Sequence, residues 1–345
     1  MADNQSIQAA VDEVSRRLDL ARDRGDMAGE ADALSRRSAL AVAMGELDRA
    51  IADLERSGAL YFKLNDPAAE ARVSYGRGLL LGREPSRSSE AESALRRSAS
   101  LAYFVRDPVQ EMRAWQQIVQ LRERRGDADG ALDQLGAMIL RLDELGNVRG
   151  QVDCLRHVAA LEQLRGRAHV GLLRLNAALE KAQSLSDPAL VLQVRFEIRA
   201  LQTASGLVPS GSERWDDLIT SATELGESQL LGLAKIQQAA ESLRHSNPSA
   251  ALTVAMEARQ HALGATEPLS YLLASLLMAE AQEALGDHAG VIGTLLSCKS
   301  TLEKHLGQDA GRSLVWILDS LERRWGAPQL ERALIEHRDR AANRA

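Results

Sequence analysis

Gly126-Asp127-Ala128-Asp129-Gly130-Ala131-Leu132 is a tight turn followed by the opening of a helix, and the chain returns to it at a fixed interval. Stepping outward by 40 or 41 residues reaches Gly45, Ser86, Gly126, Gly166, Gly206, Ser246, Gly286 and Gly326. Six of these eight positions are glycine, in a chain where only 25 of 345 residues are, so the comb is not chance. A second comb runs about half a period away: Asp26, Asp66, Asp107, Asn147, Asp187, Glu227 and Glu267, then Gly307 just before Asp309. Two interleaved combs of one period mean one helical hairpin repeated about eight times. A hairpin that cannot bury its own apolar face does so by stacking on the next, which is the logic of a solenoid.

The comb residues explain the helix boundaries. An Asp or Asn before a helix accepts hydrogen bonds from the free backbone amides of the first turn, and its charge suits the positive end of the helix dipole. Four of the acids precede proline (Asp66-Pro67, Asp107-Pro108, Asp187-Pro188, Glu267-Pro268), which fits the first turn because no donor is needed there. Glycine at the other comb can take a positive φ and end the first helix. Each repeat therefore has a helix A, from acid to glycine, and a helix B, from glycine to the next acid. The expected organisation is an N-terminal capping helix in residues 1–25, its apolar face carrying Ile7, Val11, Val14 and Leu18, then an array over 26–345. The pairs fall near 27–64, 67–105, 108–145, 148–185, 188–225, 227–263, 267–305 and 309–343. One extra residue is expected near Gly82–Ser86. The Ser/Gly/Pro-rich run 205–212 is expected to be a longer loop or a hinge.

Five residues before the glycine comb stands a leucine ladder, Leu40, Leu81, Leu121, Leu161, Leu201 and Leu321, broken by Glu241 and Ala281. Five residues after it stand Ala50, Ala91, Ala131, Gly171, Gly211, Ala251, Val291 and Glu331. The first set predicts a continuous core. The second predicts close approach of helix B to helix A.

The Gly-Asp turn, the Ala five residues on, and a bulky residue eleven before the turn (Trp115, Tyr75, Leu34, Leu155) resemble the tetratricopeptide repeat, in its longer variety of roughly 40 residues. Arg125–Leu132 and the segment Met44-Gly45-Glu46-Leu47-Asp48-Arg49-Ala50-Ile51 carry the likeness best, and it extends over about 27–343. Glu331, Arg195, Lys235 and the Ser/Pro turns near 86 and 246 depart from it. The resemblance implies an all-α, right-handed α-solenoid of about eight antiparallel pairs whose A helices line a concave binding face. Carried over by register, the binding positions differ between the two halves. The C-terminal half offers an apolar ladder: Phe196, Leu233, Ile236, Leu273, Leu276, Leu277, Trp316 and Ile317. The first half is polar and basic, with Arg77, Arg113, Gln116, Gln117, Gln120, Arg124, Arg156 and His157. Three readings of the ladder stand: a groove for a partner's apolar segment, a homodimer interface, or internal core. The arginines read either as ordinary solvated faces or as forks for the carboxylates of an acidic peptide.

Composition narrows the function classes. A formal charge of −6 lacks the basic footprint of a general nucleic-acid binder. Charge is uneven: residues 71–125 hold eleven arginines against six acids, whereas 251–310 hold three basic and seven acidic residues. The start of the chain shows no secretory pattern, and the longest apolar run, 271–279, is far too short for membrane insertion. Cys154 and Cys298 sit in different repeats without a CxxC partner and read as reduced, buried thiols. The seven histidines make no HExxH or Cys/His cluster, and the glycines keep the repeat period, so no catalytic, metal or cofactor site is expected. The expectation is a cytoplasmic adaptor or scaffold that holds a protein or peptide segment. A regulatory sensor of a short peptide or small ligand and a self-assembling structural module are the alternatives.

Overall fold

The computed structural model describes residues 2–209 and 211–343, with side chains at all of these except 2–6, 8 and 313. Among them there are seventeen α-helices and no strand. Helix α1 (Ala2–Asp23) is followed by eight A/B pairs in chain order: α2 (Met27–Ala43) and α3 (Leu47–Lys63), α4 (Pro67–Leu81) and α5 (Ser88–Phe104), α6 (Pro108–Arg124) and α7 (Ala128–Glu144), α8 (Val148–Leu164) and α9 (Ala168–Gln183), α10 (Pro188–Ser205) and α11 (Trp215–Leu225), α12 (Ser228–Arg244) and α13 (Pro248–Gly264), α14 (Pro268–Ala284) and α15 (His288–Leu306), α16 (Arg312–Trp325) and α17 (Ala327–Ala342). The chain divides into two compact units, 1–161 and 162–345, with the division inside α8 and not at the 205–212 run. Within each unit successive helices pack on one another as a helical solenoid.

The capping chemistry is that of the acid comb. The side chains of Asp26, Asp66, Asp107, Asn147 and Asp187 accept from the amides of Gly29, Ala69, Gln110, Gly150 and Leu190 at 2.9–3.1 Å. Asp127, Asn247 and Asp287 do the same at the start of B helices. Glu227 and Glu267 make no such bond, because their carboxylates stand one methylene farther out. Gly45, Gly126, Gly166, Gly206, Gly286 and Gly326 all adopt positive φ. Gly82 does not: its φ is −69°, and the extra residue is absorbed by a short 3₁₀ turn, Pro85–Arg87. After α10 ends at Ser205, residues 206–209 and 211–214 form a loop; Ser210 lies outside the described residues, and α11 has only 11 residues.

The other turn also needs a left-handed residue, which the sequence reading missed. Just before the acid comb, Gly25, Asn65, Arg106, Gly146, Ser186, Gly226 and Thr266 all take positive φ. Thr266, at +55°, is β-branched and so the most strained of the set. Thr266→Gly is expected to raise the unfolding free energy by about 1 kcal/mol, measured by urea denaturation; an unchanged or lower value would contradict this account of the turn.

Leu81, Leu121, Leu161, Leu201 and Leu321 are buried, as are Ala50, Ala91, Ala131, Ala251 and Val291. Leu40 is only half-buried, Gly211 falls in the loop and Glu331 is exposed. Unit 1 adds a polar ladder to this core. The fourth residue of each A helix, Glu30, Glu70, Glu111 and Gln151, is buried. Each of the three glutamates takes an arginine from the following B helix: Arg56 at 2.7 Å, Arg97 at 2.9 Å and Arg141 at 3.2 Å. Ser57 and Ser98, 41 residues apart, donate to the carbonyls of Ala31 and Ala71 at 2.8 Å. Glu92 binds Arg96, Arg122 and Arg125. Burial opposes its ionisation, but the Arg122 and Arg96 guanidinium groups outweigh that and hold it below the usual carboxylate range. Much of the arginine excess of 71–125 is thus spent on clamping neighbouring helices.

Candidate functional site

The A helices α6 and α8 of unit 1 border a cleft of about 390 Å³. Helix α6 presents Met112, Gln116 and Gln120 at intervals of four, which places them on one stripe. Helix α8 presents Asp153 and His157 at the same interval opposite. The intervening B helix supplies the floor, Leu135, Met138 and Leu142, each 2–4% exposed. These floor residues belong to one buried cluster with Val119 and Val158, in which the small, fully buried Ala131 lets α7 approach α6. His157 Nε2 and Glu123 Oε1, 2.5 Å apart, bridge α8 to α6 at one end. The result is an apolar trough rimmed by carboxamides, a carboxylate and an imidazole. Such a rim can donate to and accept from a peptide main chain while the floor takes an apolar side chain.

Cys154 lines the same cleft. Burial, with a smaller contribution from the charge of Asp153, pushes its thiol up to about 11. The thiolate is then roughly a thousandth of the population at about pH 8, so this is an inert wall residue and not a nucleophile. Burial raises Cys298 as well. Iodoacetamide at about pH 8 is expected to leave both cysteines of the folded chain unmodified and to alkylate both in urea; rapid modification of native Cys154, read by mass spectrometry, would contradict this.

The polar residues expected from the sequence are only partly gathered here. Gln116, Gln120 and His157 line the cleft, and Arg156 is beside it, bonded to Asp153 at 3.3 Å. Arg113 is exposed and Gln117 half-buried, and neither lines it. Arg77 pairs with Glu55 of α3 at 3.1 Å, and Arg124 donates to the carbonyl of Gly82 at 3.3 Å. Both therefore brace helices. Register leaves out Met112 on the α6 stripe and the α7 floor, Leu135, Met138 and Leu142; the four-residue spacing 112/116/120 facing 153/157 signals the rim but not the floor.

The apolar ladder lies in unit 2 and is divided by depth. Ile236 is 5% exposed and packs with Ala258 and Ala274, with Leu277 against the same cluster. Leu276 and Ile317 pack against the core of Tyr271, Leu295 and Leu314. Phe196 meets Trp215 edge to face, ring centroids 5.6 Å apart. Leu233 is half-buried. Leu273, at 39%, and Trp316, at 68%, are the exposed members. Among the described residues, no group of three or more His, Cys, Asp or Glu could hold a metal ion, and no helix is long and apolar enough to cross a membrane.

No protein-family model and no curated protein sequence matches the chain. Solved structures do. A signal transduction ATPase with numerous domains, a protein with a tetratricopeptide repeat sensor from Pyrococcus horikoshii, superposes with a TM-score of 0.58 at 14% identity. The match covers 83% of this chain and 44% of that one, so the chain spans less than half of its length. The apo form of the quorum sensor NprR from B. thuringiensis gives a TM-score of 0.49 at 13% identity, over 94% of each chain. Identities this low speak to the fold alone, and the fold is that of the tetratricopeptide-like helical repeat proteins.

Proposed function

We propose that the chain is a protein-interaction module, an intracellular adaptor whose A helices receive an extended segment of a partner protein, with the α6–α8 cleft as one docking point. The observation that carries this reading is the convergence of Gln116, Gln120, Asp153 and His157 over the apolar floor of Leu135 and Met138. Carboxamides on a rim match the alternating donors and acceptors of an extended main chain, and the floor gives one apolar side chain of the segment a place to bury. In unit 2 the exposed Leu273 and Trp316 are the members of the apolar ladder free to add contacts. The cleft's volume also fits a small ligand, which supports the reading as a sensor.

The test is selection of binding segments from a random peptide library on the full chain, repeated with Gln116→Arg/Gln120→Arg. Both side chains are exposed, so the double variant is expected to fold and to lose selected peptides by at least about tenfold. Peptides that bind both proteins equally would overturn the assignment of this cleft. Leu273→Glu/Trp316→Ala tests the contribution of unit 2 in the same assay.

A further inference from the structure

Arg259, on α13 of unit 2, is half-buried and holds its place without a carboxylate. Two other arginines of this unit, Arg195 and the more deeply buried Arg199, sit on Glu213 and Glu241. Arg259 forms no ion pair among the described residues. Its Nη2 donates to Tyr271 Oη at 2.7 Å and to Ser297 Oγ at 2.8 Å, and its plane lies over the Tyr271 ring, 5.0 Å from the centroid. Nη1 has only the sulfur of Met278 at 4.0 Å, and Nε is buried with no partner. A guanidinium has five donors, and here most are unspent.

The hydroxyls around it are oriented by their own bonds. Thr301 Oγ1 donates to the Ser297 carbonyl at 2.9 Å, so its proton is used. Tyr271 Oη, 3.2 Å from Thr301 Oγ1, is left to donate to it while accepting from Arg259. Ser297 Oγ accepts from Arg259 and keeps its proton. These groups open on a cleft of about 710 Å³ between the B helices α13 and α15, with Gln260 at its rim and Met256, Leu263 and Met278 as apolar wall. Glu257 also lines the cleft but is held by Lys235 Nζ at 3.0 Å. Glu267 lines the adjoining cavity, which shares Tyr271, and opposes a negative ligand at longer range.

We propose that this cleft on the B-helix side is a subsite for a carboxylate carried on an apolar group, with Arg259 Nη1 and the Ser297 hydroxyl as its donors. A charged fork beside free hydroxyl and amide donors suits a planar carboxylate. The thioether and leucine wall suits an apolar body and gives nothing to a bare phosphate. The site is independent of what occupies the α6–α8 cleft. With Glu257 and Glu267 nearby, binding is expected to be weak and to fall further as salt is added.

The experiment follows the Arg259 Nε–H resonance of the isotopically labelled full chain, identified by its loss in Arg259→Lys. N-acetyl-leucine, a neutral control N-acetyl-leucinamide and inorganic phosphate are titrated separately. The acid is expected to shift the resonance with saturation and the amide to leave it unmoved. Ser297→Ala, which removes one donor from a half-exposed site, is expected to weaken the acid about tenfold without changing the circular dichroism. An equal shift from the amide, saturation by phosphate and not by the acid, no shift at all, or unchanged affinity in folded Ser297→Ala would each overturn the proposal.

Discussion

Arg37→Met is expected to lower the unfolding free energy by about 3 kcal/mol, one of two effects of similar size that test how unit 1 is held together. Asp53 on α3 is 5% exposed, and its carboxylate takes two bonds from Arg37 on α2, Nε at 2.7 Å and Nη2 at 2.5 Å. Methionine keeps most of the packing volume but leaves Asp53 charged, buried and without its fork. The penalty belongs to the abandoned carboxylate, not to the worth of the pair. Arg37→Met/Asp53→Leu is therefore expected to recover most of the loss. Urea denaturation followed by circular dichroism measures both; a double variant no more stable than the single one would mean that the pair is not an isolated couple, and a single variant within about 0.5 kcal/mol of the parent would remove the argument altogether.

The second effect links packing to the proposed site. Leu135→Ala is expected to cost about 3 kcal/mol, since Leu135 is 2% exposed within the cluster of Val119, Met138, Leu142 and Val158. The rigid neighbours on α6 and α8 cannot collapse onto the lost volume. Leu140→Ala on the same helix, at 70% exposure, is the control and should stay within about 0.5 kcal/mol. Leu135 is also floor of the α6–α8 cleft, so the same substitution deepens the trough. Selected peptides with a larger apolar residue at the buried position are then expected to gain relative to the parent. Equal stability of the Leu135 and Leu140 variants would show that α7 is not anchored as the structure has it.

How much of this could be read beforehand depends on distance along the chain. Asp107 caps α6 through an amide three residues on, and Gly126 ends its turn through its own φ of +73°. Both are local facts, so their combs located nearly every helix. The Glu30, Glu70 and Glu111 ladder has the same period but no meaning legible along the chain, because its partners Arg56, Arg97 and Arg141 stand on the following B helices. Arg124 and Arg77, which the sequence leaves as either solvated faces or forks for a carboxylate, serve Gly82 and Glu55.

By itself the sequence determined that this is an all-α array of equal hairpins, that its turns need glycine or an acid at set places, and that leucine and alanine recur where helices must meet. Periodicity and capping act within a few residues, and the chain order contains them completely. Only the tertiary structure decided depth: that Ile236 is sealed while Trp316 is 68% exposed, that the cleft's floor comes from the helix behind it, and that Arg259 is left without a carboxylate. Exposure depends on which neighbour covers a side chain, and in a stacked array that neighbour comes from a different hairpin with its own sequence.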